Sequence, residues 1–275
     1  MNYRIVSDSS ANLQTCKEAG FVSVPLKILA GDREFTDDSR LNAEEMTDYL
    51  QSYKGKSGTS CPNIADWLDA FEGADGVFAV TITSALSGAY TSAAQAAREF
   101  AEEGGKAFVV DSLSTGPEME LLIRKLEEEI ASGKSFEEIT RAVTEYQGHT
   151  HLLFSLQSLS NLAKNGRCSP AVAKIAGVLG IRVVGAASEE GTLEPLHRCR
   201  GEKKVGDVLM SEMEKRGYRG GRVSVAHCEN LPLAEHLRDL IGQKYPGAEV
   251  KIRECGGLCS FYAERGGLIV GFEAL

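Results

Sequence analysis

Short apolar, β-branched runs alternate with amphipathic helical stretches through the first half of the chain, and this alternation constrains the fold more than any other feature. Tyr3 to Ser7 reads as a short buried strand, followed by the polar turn Asp8-Ser9-Ser10. Phe21 to Leu29 reads as a second strand. Asn42 to Tyr53 opens with a capping side chain and carries Glu44 and Glu45 in its first turn, so a helix is expected. Pro62 to Phe71 is a further expected helix, with Pro at its start where a missing N–H costs nothing. Gly76 to Thr83 is an apolar strand, Ser87 to Glu103 an Ala-rich helix, and Lys106 to Asp111 another strand. Met119 to Ser132 and Phe136 to Gln147 have helical periodicity. Strands alternating with helices imply a largely parallel sheet covered on both faces.

The second half follows a different pattern. His151 to Ser155 reads as a strand, and Leu156 to Lys164 and Ala171 to Leu179 as helices. Ile181 to Ala187 and Thr192 to Arg198 flank Ser188-Glu189-Glu190-Gly191, the signature of a hairpin. Val205 to Arg216 and Leu231 to Lys244 are expected helices, while Arg222 to His227, Val250 to Glu254 and Leu268 to Phe272 are expected strands. A mixed or antiparallel second sheet follows. The 275 residues favour two α/β domains, 1–148 and 149–275, with a boundary near Gly148.

Composition narrows the function classes. The net charge of −9 disfavours nucleic acid and anionic membrane surfaces, which need clustered Lys and Arg. No apolar run approaches the roughly 20 residues of a membrane span, and Met1 to Ser10 lacks an apolar signal core, so a soluble cytoplasmic protein is expected. Cys16, Cys61, Cys168, Cys199, Cys228, Cys255 and Cys259 are odd in number and scattered, which argues against a disulfide framework. Cys255 and Cys259 form the closest pair, but no second pair completes a zinc site, and buried small hydrophobes is the simpler reading. No metal is expected.

In an open parallel sheet, ligands bind beyond the carboxyl ends of the strands. Three such ends are rich in hydroxyls and glycine: Ser7 to Ser10, Ser84-Ala85-Leu86-Ser87-Gly88, and Asp111 to Gly116. A fourth such segment, Gly58-Thr59-Ser60-Cys61-Pro62, precedes a helix without an obvious strand before it. Helix starts at Thr59-Ser60 and Ser87-Gly88 offer N–H groups, the positive end of the dipole and O–H donors to one carboxylate or phosphate. Each turn alone is more simply explained as an ordinary helix cap. Phosphate-loop, dinucleotide and nucleophile-elbow motifs are absent from the sequence. His149 and His151 share a strand face without a partner motif, and His227 and Cys228, adjacent on a strand, point to opposite faces. Cys61 or Ser87 as a nucleophile has no visible base. The run Arg198 to Lys204 is a small basic cluster, read either as a solvated loop or as a docking patch.

At these same residues the chain resembles the DegV family, fatty-acid-binding subunits that work with bacterial fatty acid kinase. The matching segments are Ile5 to Leu13, Thr59-Ser60-Cys61-Pro62, Ile82 to Ala93, Val110-Asp111-Ser112 with Gly116, and Leu159 to Ser169. The resemblance implies a two-domain fold holding a long-chain fatty acid between the domains, and a carrier rather than an enzyme, without a cofactor. By resemblance Thr59 and Ser87 meet the carboxyl, with Ser60, Gly88 and Ser112 nearby and Arg167 close. The resemblance further implies that the kinase phosphorylates the bound carboxylate to an acyl phosphate for phospholipid synthesis. Arg200 and Lys203 fall in the region such proteins use to meet the kinase. The family has a Thr-His pair in a C-terminal Gly- and Pro-rich turn. Here Phe261 and Tyr262 take those positions within Gly256 to Gly267, and a phenol can donate a hydrogen bond in place of the imidazole. The alternative reading is a lipid-binding or sensing protein without a kinase partner.

Overall fold

The structure, a computed structural model, describes residues 2–15, 20–176 and 180–275. Over the first half the chain runs β1 (Tyr3–Asp8), β2 (Val22–Val24), β3 (Lys27–Ala30), β4 (Arg33–Thr36), α1 (Ala43–Ser52), β5 (Ser57–Ser60), α2 (Ile64–Phe71), β6 (Gly76–Thr81), α3 (Ala89–Glu102), β7 (Lys106–Asp111), α4 (Pro117–Ala131) and α5 (Phe136–Gln147). It continues with β8 (Thr150–Leu156), α6 (Ser160–Lys164), α7 (Pro170–Ala176), β9 (Ile181–Ala187), β10 (Leu193–Arg200), α8 (Glu202–Lys215), β11 (Arg222–His227), α9 (Leu231–Lys244), β12 (Glu249–Glu254), α10 (Gly257–Ala263) and β13 (Leu268–Glu273). Cys16 and the expected extension of α7 to Leu179 lie outside the described residues. No described helix is long and apolar enough to cross a membrane.

The protein is an α/β structure. The first sheet, β2-β1-β6-β7, is parallel throughout, and its central strand β6 is buried at every position, as a strand covered on both faces must be. The second sheet, β10-β9-β8-β13-β11-β12, is mixed: β11 and β12 run parallel and its other pairs antiparallel. The hairpin read from Ser188 to Gly191 joins β9 to β10 with Leu193 opposite Ala187.

Four local expectations are corrected. Phe21 to Leu29 is not one strand. Pro25, which has no N–H to give a ladder, separates β2 from β3, and the two strands enter different sheets. The strand β3 pairs with β4 and β5 in a small antiparallel sheet, so the Thr59-Ser60 segment is itself a strand. The helix expected from Pro62 starts at Ile64, because Asn63 and Asp66 form a reciprocal capping box there. The Gly256 to Gly267 segment, read as a turn, contains α10.

Helix α4 joins the two sheets. It packs on β1 and β6 of the first and on β8, β11 and β13 of the second. Two acidic residues on its buried face are satisfied across the junction. Glu118 accepts from Thr150 Oγ1 at 2.8 Å, and Glu120 accepts from Arg253 Nη2 at 2.6 Å and Nε at 3.0 Å. Burial pushes the Glu118 carboxyl up to about 7. Gly271 on β13 allows the close approach, since a Cβ there would fall 2.5 Å from the Glu118 amide nitrogen.

Candidate functional site

Two hydrogen-bonded frames bring the sequence-distant turns together. Asp8, at the end of β1, accepts from the Ile82 amide at 2.7 Å and so fixes the start of the segment after β6. The Thr83 amide donates to Ser114 O at 2.8 Å, and Asp111 Oδ1 accepts from the Ser84 and Leu113 amides, each at 3.1 Å. The segments after β6 and β7 are thereby one unit. The second frame centres on Ser92 of α3, whose hydroxyl donates to Pro62 O at 2.8 Å and accepts from Trp67 Nε1 at 3.2 Å. It holds Thr59-Ser60-Cys61-Pro62 against the start of α3. Gly88 makes that contact tight: a Cβ there would lie 3.2 Å from Cys61 Sγ.

Between the two sheets lies a cavity of about 320 Å³, within the roughly 300–1,000 Å³ of ordinary ligand pockets. One end is polar, lined by Thr59, Ser60, Ser87, Gly88, Arg167 and Tyr262. Ser60 and Gly88 are exposed and the other four half-buried, so this end meets solvent. Thr59 Oγ1 lies 2.8 Å from the Tyr262 hydroxyl. Ser87 Oγ accepts from the Ala89 amide at 3.2 Å, which leaves its own O–H free to donate into the cavity. Arg167 is held by Leu86 O, 3.1 Å from Nε, and by Asn165 O. The α3 N-terminus adds the positive end of its dipole.

The walls are apolar. Leu152, Phe154 and Leu156 alternate along β8 and present one face to the cavity, opposite Leu26, Ile82 and Leu86. Ala186, Leu193, Leu258, Ala263 and Ile269 extend the lining. Cys259 also lines it, and burial pushes its thiol up to about 12, so it forms a neutral wall. Among the described residues lining the cavity, Arg167 is the one ionic side chain, and none is Asp, Glu or His.

Helix α10 carries Tyr262 to the mouth because distant residues cap it. Asp37, 2% exposed, accepts from the Gly257 amide at 2.6 Å, the Leu258 amide at 3.0 Å and the Ser9 hydroxyl at 2.9 Å. Asn12 Oδ1 accepts from the Gly256 amide at 2.8 Å. Burial raises the Asp37 carboxyl above its usual range, opposed by these donors.

The expected residues therefore separate into groups. Thr59, Ser60, Ser87, Gly88, Arg167 and Tyr262 come together at one mouth. Ser112 does not line the cavity; its hydroxyl donates to Ser114 O within its own turn, and Leu113, Ser114 and Thr115 take the lining positions. Phe261, beside Tyr262, is buried with Ile28, Phe35 and Met46 under the small sheet. Cys61 lines the mouth with no base among its cavity neighbours. His227 and Cys228 lie outside the lining, and burial pushes the Cys228 thiol up to about 11. Arg200 and Lys203 are exposed where β10 passes into α8, away from the lining. No group of three metal-ligating side chains occurs among the described residues.

A family model described as an uncharacterised protein, DegV family, matches residues 2–274. The chain belongs to the DegV family. A DegV domain-containing protein of Streptococcus pneumoniae is 43% identical over 99% of both chains. Among DegV structures, a family protein of Eubacterium eligens loaded with heptadecanoic acid is 44% identical, with a TM-score of 0.97 over 99% of this chain and 100% of that one. The Streptococcus pneumoniae fatty acid kinase (Fak) B3 protein, loaded with linoleic acid, is 42% identical, with a TM-score of 0.98 over 100% of both chains.

Proposed function

We propose that this protein binds a long-chain fatty acid and presents its carboxylate to a fatty acid kinase. The observation that carries the reading is the cavity's polarity. Hydroxyls, one guanidinium and a helix N-terminus gather at a solvent-facing mouth, and apolar walls lie behind them. A buried carboxylate needs donors on both oxygens, each charge-assisted bond contributing about 1.5–3 kcal/mol. Thr59, Ser87 and Tyr262 supply hydroxyls, and Arg167 and the α3 amides complete the set. Methylene burial at about 0.8 kcal/mol each supplies most of the affinity. Fatty acids in the two related DegV structures support the same assignment.

Residues 1–148 and 149–275 act as the two lobes that enclose the ligand. The protein serves as a carrier, because no carboxylate or imidazole among the described lining residues stands ready to act as a base toward Cys61 or Ser87. The exposed mouth leaves the carboxylate open to a partner. In the kinase step a carboxylate oxygen attacks the γ-phosphorus of ATP, giving acyl phosphate and ADP. The exposed Arg200 and Lys203 supply the docking contact.

Lipid-loaded protein incubated with a fatty acid kinase, ATP and hydroxylamine tests this. Acyl hydroxamate is expected, and Arg200→Ala is expected to slow its formation without releasing lipid. Retained lipid with no hydroxamate would replace this reading with a lipid-binding or sensing protein that has no kinase partner.

A further inference from the structure

We propose that Leu113 closes the end of the cavity remote from the mouth and sets the longest acyl chain that the protein holds. This rests on the fatty acid reading above and specifies which chain lengths bind.

Leu113 is out of place both in its backbone and in its exposure. It lies at φ +53, the left-handed region that disfavours a residue with a Cβ and is usually left to glycine or asparagine. The other non-glycine residues with positive φ among those described, Asn12, Glu229 and Glu264, are polar. The Leu113 side chain is 37% exposed, and of the exposed large apolar residues described it alone lines the cavity. The turn itself gives no reason for leucine. Asp111 Oδ1 accepts from the Leu113 amide at 3.1 Å and Ser112 Oγ accepts from the Ser114 amide at 3.1 Å, and any residue but proline supplies such an N–H. Glycine would fit this backbone without strain. What leucine adds is an apolar side chain over the edge of an apolar cavity that water would otherwise enter.

The register of the second sheet locates that edge. On β8, Leu152 and Leu156 stand about 13 Å apart along the strand, and beyond Leu156 the chain passes through α6 to Arg167 at the mouth. β9 returns antiparallel, with Val183 opposite Leu156 and Ala186 opposite Leu153, so the β9–β10 turn lies at the Leu152 end. Gly191 of that turn has φ +75 and rests on Leu113. A Cβ there would fall 3.1 Å from Leu113 Cα and 2.1 Å from Thr83 Oγ1. The facing wall runs in the same order. Leu86 O holds Arg167 Nε at the mouth end, and the Leu86 amide donates at 3.2 Å to Thr83 O, which lies toward the Leu113 end. Thr192, also exposed, lines the cavity beside Leu113. This end is therefore closed by surface side chains and not by the core, and a change at Leu113 alters its length without disturbing buried packing.

Delipidated protein would be titrated with saturated fatty acids lengthened two carbons at a time. In the wild type each methylene that meets apolar wall should tighten binding roughly fourfold, up to a limiting length beyond which affinity stops rising. Leu113→Gly should move that limit to acids about two to four carbons longer, with each added methylene again tightening binding. Leu113→Phe should move it to shorter acids. Acids below the wild-type limit should bind Leu113→Gly and the wild type alike. Urea unfolding verifies that both variants are folded, and the Leu113→Gly midpoint should stay close to the wild-type value because glycine accepts φ +53 freely. A limit that stays at the wild-type length in both folded variants, or a loss of affinity equal for acids of every length, would overturn the proposal. Wild-type protein that binds no fatty acid of any length would remove the fatty acid reading and this proposal together.

Discussion

Tyr262 and Thr59, 203 positions apart in the chain, share a hydrogen bond of 2.8 Å at the mouth of the cavity. The bond links α10 to the small sheet and sets two hydroxyls side by side at the mouth.

Tyr262→Phe removes one of those donors and leaves the ring in place. A neutral hydrogen bond contributes about 1 kcal/mol net, so fatty acid affinity should fall about fivefold. Thr59→Ala with Ser87→Ala should lower it much further. Equilibrium titration of each purified variant with one fatty acid checks the order.

Asp37 acts on the site from beneath. It caps α10 through two amides and also holds Ser9. Asp37→Ala leaves those buried donors unpaired, at a cost of about 1–3 kcal/mol. Urea unfolding should show the loss. Fatty acid affinity should fall in the folded fraction as well, because Tyr262 rides on that helix.

Glu118 makes stability depend on pH. Burial raises its carboxyl from 4.5 to about 7, so the folded state holds the proton more tightly than the unfolded chain. Below about 4.5 both states are protonated and ionisation costs nothing. The cost grows as pH rises through the window and is complete above about 7, on the order of 3 kcal/mol. Glu118→Gln should match the wild type near pH 4.5 and be more stable near pH 8, as read from urea midpoints at each pH.

Gly271→Ala tests how closely α4 approaches the second sheet. The added methyl would meet the Glu118 amide nitrogen at 2.5 Å and Pro117 C at 2.6 Å, both backbone atoms that cannot rotate away. A loss of about 1–3 kcal/mol is expected in chemical unfolding.

Periodicity made most of the fold legible. The helix Phe136–Gln147 and the strands Lys106–Asp111 and Arg222–His227 stand where local pattern put them. So does the β9–β10 hairpin. The local signal failed where long-range partners decide the outcome. Nothing near Gly256 to Gly267 announces a helix, because its cap, Asp37, lies 220 positions away from Gly257. The split at Pro25 was written in the sequence and outweighed by the apolar run around it. The mouth residues were legible as hydroxyl-rich turns. That Leu113, Ser114 and Thr115 line the cavity and Ser112 does not was not, since it depends on how the turn folds back on itself. The apolar wall had a readable trace in the alternation of Leu152, Phe154 and Leu156.

Native mass spectrometry of the purified protein, followed by extraction and identification of any bound lipid, tests the central claim most directly. A one-to-one adduct with the mass of a fatty acid is predicted, and it should be lost in the Thr59→Ala/Ser87→Ala variant. A protein that stays lipid-free after incubation with a panel of long-chain fatty acids would contradict the account.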